Sequence, residues 1–304
     1  MQKREMEKRK LGATNLELSV IGLGTWAMGG GGWKFGWGPQ DDKQSIAAIR
    51  RAVELGVNWI DTAPLYGLGH AEEIVGKALK ALREKPYIAT KFGITWDEKR
   101  RMSHCLKNES IRRELEGSLR RLKVAAVDLY QLHWPFPEED LEEAWVCAAE
   151  LVKEGKTRYI GVSNFGVGHI ERIRNICKPV SVQSPYSAVN RGIEKEIIPY
   201  CEKEGIAVLV YGSLEKGLLS GSFSRQRIQA LPMDDHRKRD PAFNEPELSK
   251  NLEAVAELEK EAKKYGKTPA QAAISKVLEN RSVCSVIVGA RTAGQVEENI
   301  FRRD

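Results

Sequence analysis

The chain has 304 residues, of which 41% are hydrophobic and 30% are charged, so it can bury a large core. Its apolar runs fall short of the roughly 18 residues that a membrane-spanning helix needs. The first ten residues are charged and no apolar stretch follows them, so we expect a cytoplasmic protein without a secretory leader. The net charge of +6, spread over 48 basic and 42 acidic residues, is too dilute to predict nucleic-acid binding.

The cysteines and histidines are scattered. The five cysteines form no CxxC pair, which predicts reduced thiols rather than a disulfide framework or a zinc site. The histidines include no pair at metal-ligand spacing, so we expect no bound metal. No heptad or apolar stripe in the sequence predicts an oligomer interface.

Strand-like and helix-like segments alternate along the chain. Runs rich in β-branched and aromatic residues predict eight strands: Ser19–Leu23, Val57–Ile60, Tyr87–Thr90, Val127–Leu132, Tyr159–Val162, Val180–Gln183, Ala207–Val210 and Ser285–Val288. Amphipathic spacing predicts the helices between them: Asp41–Leu55, His70–Arg83, Ser110–Leu122, Glu138–Glu154, Gly168–Ile176, Glu194–Glu204, Leu248–Tyr265 and Pro269–Glu279.

This eightfold alternation predicts a single-domain (β/α)8 TIM barrel over residues 1–304, because each parallel step needs a crossover helix. A doubly wound sheet is the competing fold, since residues 22–27 (GLGTWA) match a dinucleotide-binding fingerprint. The glycine- and tryptophan-rich segment that follows contains no helix pattern, so we interpret the match as accidental. Residues 9–18 resemble a hairpin that closes the bottom of the barrel, and the long loops 92–108 and 214–247 are candidate lids.

Functional groups of such a barrel lie where its strands end. Nearly every predicted strand ends in a polar residue or a glycine: Gly24, Asp61, Lys91, His133, Ser163, Asn164, Gln183, Tyr211, Gly289 and Arg291. Tyr66 follows Asp61 in the next turn. Asp61, Tyr66, Lys91 and His133 suit proton transfer coupled to hydride transfer. A cationic lysine beside the phenol lowers its pKa, an aspartate holds the lysine, and a neutral histidine orients a carbonyl.

Five separated motifs resemble the aldo-keto reductase superfamily in order and spacing. They are residues 56–67 (GVNWIDTAPLYG), 89–92 (ATKF), 128–135 (DLYQLHWP), 161–165 (GVSNF) and 289–291 (GAR). Residues 211–221 (YGSLEKGLLSG) and 235–243 (DHRKRDPAF) are most similar to the bacterial general-stress-type reductases of family 11.

The resemblance implies that Asp61, Tyr66, Lys91 and His133 are a catalytic tetrad, with Tyr66 as general acid in the reduction of aldehydes or ketones. It also implies that NADP(H) lies across the top of the barrel. Ser163, Asn164 and Gln183 match the positions that hold the nicotinamide amide, and Tyr211 matches the ring on which the nicotinamide stacks. The remaining cofactor-binding positions are Gly24, Thr25, Trp26, Gly212, Ser213, Leu214, Lys216, Gly289, Arg291, Gln295, Glu298 and Asn299, together with Asp61.

Arg291 is placed to pair with a 2′-phosphate, so we expect NADPH rather than NADH. Residues 292–300 have a helix pattern beside it. Glu215 places an acid on the expected pyrophosphate path, where Lys216, Arg225 or Arg227 would offset it.

The small-molecule carbonyl substrate is expected to contact Trp26, Tyr66, His133 and Trp134. Five tryptophans fall in loops at the predicted open face, which predicts an aromatic mouth suited to apolar aldehydes: Trp26, Trp33, Trp37, Trp96 and Trp134. Two alternatives remain open. Lys91 could form a Schiff base, as in an aldolase, or the chain could be a nucleotide-binding regulatory module with little turnover.

Overall fold

Eight parallel strands close a barrel in the computed structural model, which describes residues 6–300. Two antiparallel hairpins lie outside the barrel: β1 (Lys8–Lys10) with β2 (Glu17–Ser19), and β6 (Ile94–Trp96) with β7 (Met102–His104). The barrel strands, in chain order, are β3 (Ile21–Gly24), β4 (Trp59–Asp61), β5 (Tyr87–Phe92), β8 (Val127–Leu132), β9 (Thr157–Ser163), β10 (Ser181–Pro185), β11 (Ala207–Tyr211) and β12 (Val283–Gly289). Pairing of β12 with β3 closes the ring.

Helices cover the outside of the barrel and connect successive strands. They are α1 (Asp42–Glu54), α2 (His70–Ala81), α3 (Asn108–Leu122), α4 (Leu141–Lys153), α5 (Val167–Ile173), α6 (Ile197–Glu204), α7 (Arg225–Gln229), α8 (Glu247–Lys264), α9 (Pro269–Leu278) and α10 (Ala293–Asn299). The predicted (β/α)8 barrel is therefore confirmed. Within residues 6–300, no helix combines the length and the apolar character that crossing a bilayer requires.

Local sequence signals fix the ends of these helices. The Asp41 side chain caps α1 by accepting a hydrogen bond from the Gln44 amide at 3.0 Å. Gly56, with φ of 97°, turns the chain out of that helix. Thr268 and Gln271 form a reciprocal capping box at the start of α9. Each cap satisfies backbone groups that the helix itself leaves without partners.

The first hairpin closes the bottom of the barrel, as the sequence predicted. Leu11, Leu16 and Leu18 are buried against side chains that point into the barrel, including Trp59 and Leu209. Ser19 belongs to this hairpin, where it pairs with Lys8, and not to the first barrel strand as we expected. The barrel strand starts two residues later, because the chain must turn between the hairpin and the barrel.

The dinucleotide-binding match at residues 22–27 is accidental, as predicted. The strand β3 ends at Gly24, and only a short 3-10 turn, Trp26–Gly29, follows it. Gly24 pairs in register with Gly289 and Asp61 on the two neighbouring strands. The glycine pattern at this point therefore serves close packing at the barrel rim, without the phosphate-binding helix of a doubly wound sheet.

The two long loops contain secondary structure that the sequence did not reveal. The loop after β5 folds into the hairpin of β6 and β7. The loop after β11 contains 3-10 turns and the short helix α7, and it has its own apolar cluster of Leu218, Ile228, Phe243 and Leu248. Both segments are thus folded extensions of the barrel rim.

Candidate active site

An ion pair between Asp61 and Lys91 lies at the centre of the barrel top. The Lys91 ammonium nitrogen is 2.6 Å from Asp61 Oδ2, and both side chains are almost completely buried. The same nitrogen donates hydrogen bonds to the Thr62 carbonyl oxygen at 3.0 Å and to the Tyr66 hydroxyl at 3.1 Å. All three N–H groups of the ammonium therefore have acceptors.

The Tyr66 hydroxyl contacts Lys91, but its pKa does not shift in the direction we expected. Burial and the negative charge of Asp61 hold the pKa of Tyr66 well above its ordinary value. Burial also lowers the pKa of Lys91, against the opposing effect of Asp61. Tyr66 therefore stays protonated at neutral pH and carries a proton that it could donate.

His133 lies beside Tyr66, with ring centroids 6.0 Å apart and nearly perpendicular planes. Burial, together with the charges of Lys91 and His104, lowers the pKa of His133 well below 6.5. Its imidazole is therefore neutral at physiological pH, as the sequence predicted. A neutral imidazole beside a phenol can hydrogen-bond a carbonyl oxygen without competing for its proton.

Asn164 links His133 to the next strands. Its amide nitrogen donates to the His133 carbonyl oxygen at 3.0 Å and to Ser163 Oγ at 3.1 Å. Its oxygen accepts a hydrogen bond from the Tyr211 hydroxyl at 2.7 Å. Asn164 adopts a left-handed conformation with φ of 62°, which asparagine tolerates better than most residues. The contacts of Asn164 thus fix the Tyr211 ring at the end of β11.

Gln183 lies below this group and contacts the ion pair directly. Its amide nitrogen donates to Asp61 Oδ1 at 2.8 Å and to Gln131 Oε1 at 3.2 Å. Gln131 in turn donates to Asp61 Oδ1 at 3.3 Å. Sequence reasoning missed Gln131. It lies on β8, two positions before His133, and side chains two positions apart along an extended chain face the same side of the barrel wall.

On the neighbouring β3 rim, Thr25 donates to the backbone oxygen of Asp61 at 3.1 Å. On the opposite rim, Gly212 has φ of 75° and no atom near its α-carbon on the side-chain face. Ser213 and Leu214 are buried beside it.

The charges expected to offset Glu215 are paired elsewhere. The Lys216 ammonium forms an ion pair with Asp240 at 2.7 Å. Arg225 pairs with Glu245, and Arg227 donates to the Ser222 carbonyl oxygen at 2.7 Å. Glu215 instead accepts a hydrogen bond from Ser187 at 2.6 Å. The expectation that these cations offset Glu215 is wrong, because each has a partner within its own loop.

Arg291 is held by uncharged groups. Its guanidinium donates to Gln40 Oε1 at 2.6 Å and to the backbone oxygens of Trp37 and Pro39. Its backbone amide donates to the Gln295 side chain at 2.8 Å. No carboxylate forms an ion pair with Arg291 within residues 6–300. The other two adenosine-end candidates lie on α10, where the side chains differ in exposure: Glu298 is exposed and Asn299 is buried.

The aromatic residues near Tyr66 pack in two neighbouring sets, and Trp26 contacts both. Trp26 stacks on Tyr66 with centroids 6.2 Å apart, and it also packs against Trp37 and His236. His236 was not predicted; it reaches this position because its backbone amide donates to the Gly36 carbonyl oxygen.

Trp33 and Trp96 instead line a neighbouring groove of about 630 Å³, together with Gly67 and Leu68 from the turn after Tyr66. Trp134 is 38% exposed and stacks on Phe136. Trp26 therefore lies against Tyr66, whereas Trp33 and Trp96 line this groove, and an aromatic substrate mouth stays a prediction.

Comparison with known proteins gives consistent results. The sequence model described as "Aldo/keto reductase family" matches residues 20–303. The chain is 40% identical to aldo-keto reductase YhdN of Bacillus subtilis, over 96% of this chain and 87% of that protein. It is 36% identical to the NADH-specific methylglyoxal reductase of Escherichia coli, over 97% of this chain and 93% of that protein.

Solved structures show the same similarity. The glycerol dehydrogenase AKR11B4 from Gluconobacter oxydans superimposes with a TM-score of 0.85 and 39% identity, covering 100% of this chain and 92% of that one. The aldo-keto reductase AKR11C1 from Bacillus halodurans gives a TM-score of 0.75 and 28% identity, covering 97% and 90% of the two chains. The predicted resemblance to family 11 is thus confirmed.

Proposed function

The chain belongs to the aldo/keto reductase family, and we propose that it reduces aldehydes and ketones to alcohols with Tyr66 as the general acid. The observation that carries this proposal is the position of the Lys91 ammonium, 2.6 Å from Asp61 Oδ2 and 3.1 Å from the Tyr66 hydroxyl. A cation that touches the phenol oxygen stabilises the phenolate that remains after Tyr66 gives up its proton. The buried partner Asp61 keeps that cation charged and in place.

The residues at the barrel top fit a nicotinamide cofactor, which when bound supplies a hydride to the carbonyl carbon. Gln183 Oε1 accepts no hydrogen bond from any residue that the structure describes, so it is available to a carboxamide N–H. The backbone at Gly212 is open to close approach by a ligand. The Tyr211 ring, fixed by Asn164 at 2.7 Å, offers a flat surface for stacking.

The proposed proton path uses this chain's own groups. The Tyr66 hydroxyl gives its proton to the carbonyl oxygen while a hydrogen bond from neutral His133 orients that oxygen. Lys91 stabilises the resulting phenolate by the hydrogen bond it already donates. The product is an alcohol, and Tyr66 recovers its proton from solvent before the next turnover.

We further propose that NADPH is the preferred cofactor. The Arg291 guanidinium donates to uncharged acceptors and has no ion-pair partner in the described part of the chain, so its charge is available to a phosphate. The relative from Escherichia coli is named as NADH-specific, and both cofactors therefore belong in the test.

The aldolase alternative fits the geometry less well. A Schiff base requires a neutral amine that is free to attack a carbonyl. The Lys91 nitrogen instead donates to Asp61, Thr62 and Tyr66. These hydrogen bonds favour the charged form and leave no free lone pair.

The test is the loss of reduced-nicotinamide absorbance with purified protein, in parallel with NADPH and NADH. Suitable carbonyl substrates are methylglyoxal and an activated aromatic aldehyde, and glycerol serves for the reverse reaction. Turnover that is faster with NADPH, and that Tyr66→Phe abolishes, is the expected result. Absence of turnover, combined with quenching of tryptophan fluorescence by NADPH, would instead support the regulatory-module alternative.

A further inference from the structure

Three buried polar side chains from alternating strands form a closed hydrogen-bonded ring inside the barrel. Asp61 ends β4, Gln131 lies on β8 and Gln183 lies on β10. One strand, β5, separates β4 from β8, and one strand, β9, separates β8 from β10. Side chains from alternate strands form layers inside such barrels. Asp61, Gln131 and Gln183 are each at most 3% exposed, so this polar layer depends on its own members for hydrogen bonds.

The pattern of donors and acceptors in this ring has one consistent assignment. Both N–H groups of Gln183 are used, one by Asp61 Oδ1 at 2.8 Å and the other by Gln131 Oε1 at 3.2 Å. Asp61 can only accept when it is ionised, and its other oxygen holds Lys91. If the Gln183 amide turned over, its oxygen would face both the carboxylate oxygen and the Gln131 carbonyl oxygen.

We propose that Gln131 is a positioning residue that fixes the orientation of the Gln183 side-chain amide and of the Asp61 carboxylate; this inference rests on the proposed function. The Gln131 carbonyl oxygen takes the second N–H of Gln183, and the Gln131 amide donates to Asp61 at 3.3 Å. Gln131 thereby directs the Gln183 carbonyl oxygen toward the ligand side. It also links the residue that would hold the nicotinamide amide to the residue that holds Lys91.

We therefore expect the effects of substituting Gln131 and Gln183 on catalysis to be energetically coupled. Removing Gln131 takes away one of the two acceptors that orient the Gln183 amide and leaves only Asp61 to oppose its rotation. A rotated amide presents N–H groups where an acceptor is needed. Removing Gln183 leaves Gln131 with only the Asp61 carboxylate to orient, through the hydrogen bond of 3.3 Å. Effects of residues that share one hydrogen-bond network are not additive, and a double-mutant cycle measures the difference.

The experiment compares Gln131→Met, Gln183→Met and the double variant in turnover with a reduced nicotinamide and a carbonyl substrate. We expect kcat/KM to fall about tenfold in each single variant and also about tenfold in the double variant, not a hundredfold. The dissociation constant of the cofactor should rise in Gln131→Met, while KM for the carbonyl substrate stays within about twofold, since Gln131 lies below the substrate side.

Ser181→Ala is the matched control. Ser181 is fully buried two positions before Gln183 on the same strand, and its hydroxyl has no hydrogen-bond partner. This variant should leave the kinetics and the cofactor affinity unchanged. A purely structural role for Gln131 would lower the unfolding temperature but would not raise the dissociation constant of the cofactor selectively over KM for the carbonyl substrate.

An additive hundredfold loss in the double variant of an active enzyme would overturn the role of Gln131 and leave the proposed function intact. A wild-type protein that neither binds nor oxidises a reduced nicotinamide would overturn the proposed function, and the role of Gln131 with it.

Discussion

The Lys91 ammonium donates a hydrogen bond to the Tyr66 hydroxyl across 3.1 Å, while Asp61 holds the same nitrogen from the other side at 2.6 Å. Burial raises the pKa of Tyr66 and lowers the pKa of Lys91. Burial thus disfavours the charged form of each group, the phenolate of Tyr66 and the ammonium of Lys91. The energetic cost of burying them is offset by their contacts with each other and with Asp61.

Replacement of the phenol should remove the proton donor without disturbing the site. We expect Tyr66→Phe to lower turnover by about 100- to 10,000-fold, the range typical of a lost general acid. Cofactor affinity, measured by quenching of tryptophan fluorescence, should remain nearly unchanged. A variant that kept a large fraction of the wild-type rate would contradict the role of Tyr66.

Removing only one partner of the buried ion pair should lower the free energy of unfolding. Lys91→Met leaves the Asp61 carboxylate buried without a cation, and we expect a loss of about 3–5 kcal/mol in the free energy of unfolding. The double variant Asp61→Asn with Lys91→Met should recover most of that loss. Urea unfolding of both variants provides the measurement, and equal stability of the two would argue against the explanation.

Glu114 should make stability depend on pH. Burial raises the pKa of Glu114 from 4.5 to about 7, although the Gly93 amide donates to it. Because the native state holds the proton more tightly, stability should fall as the pH rises from 4.5 to 7 and then level off.

Glu114→Gln should remove this slope and stabilise the protein at pH 8 by about 1–2 kcal/mol, after allowance for partial exposure. The control is Glu116→Gln on the exposed side of the same helix, where Glu116 forms an ion pair with Lys156. The measurement is the unfolding temperature of each variant between pH 4.5 and pH 8. If stability falls with pH as steeply in Glu114→Gln as in the wild-type protein, Glu114 is not the cause of the pH dependence.

Cofactor preference should depend on Arg291. Charge-assisted hydrogen bonds are each worth about 1.5–3 kcal/mol, so Arg291→Ala should weaken NADPH binding by about tenfold to a hundredfold and NADH binding much less. Fluorescence titration with both cofactors tests this. Equal losses would mean that another residue contacts the 2′-phosphate.

Trp134 should affect substrate affinity more than rate. It is partly exposed beside His133 and stacks on Phe136. An aromatic contact is worth about 0.5–1.5 kcal/mol beyond its buried area, so Trp134→Ala should raise KM for aromatic aldehydes about two- to tenfold with little change in kcat. KM for methylglyoxal, which has no aromatic ring, should be almost the same in Trp134→Ala as in the wild-type protein.

Much of the architecture could be predicted from the sequence. The eight predicted strands correspond to the eight barrel strands because short β-branched runs alternate with amphipathic helices of sufficient length. The contacts of Asp61, Tyr66 and Lys91 also agreed with expectation, since parallel strands bring their carboxyl ends to one rim.

The sequence could not predict which residues of distant loops contact each other. It also could not predict how burial and nearby charges set the pKa of a side chain. Arg291 and Gln40 are 251 positions apart in the chain, and no local pattern predicts that they meet. His236 reaches Trp26 through a loop whose folding depends on its own apolar cluster. The pKa of Tyr66 rises because of burial and the nearby charge of Asp61, and only the packed structure shows how deeply the phenol is buried.

The closed bottom of the barrel determines the side from which a ligand can enter. Trp59 fills the lower interior, with its indole N–H donating to Ser285 at 3.0 Å, and the leucines of the first hairpin seal the floor beneath it. Within residues 6–300, side chains therefore close the lower end of the barrel. If the proposed reaction takes place at Asp61 and Lys91, its ligands enter from the upper rim, and we expect the ligand that lies deeper to bind first and leave last.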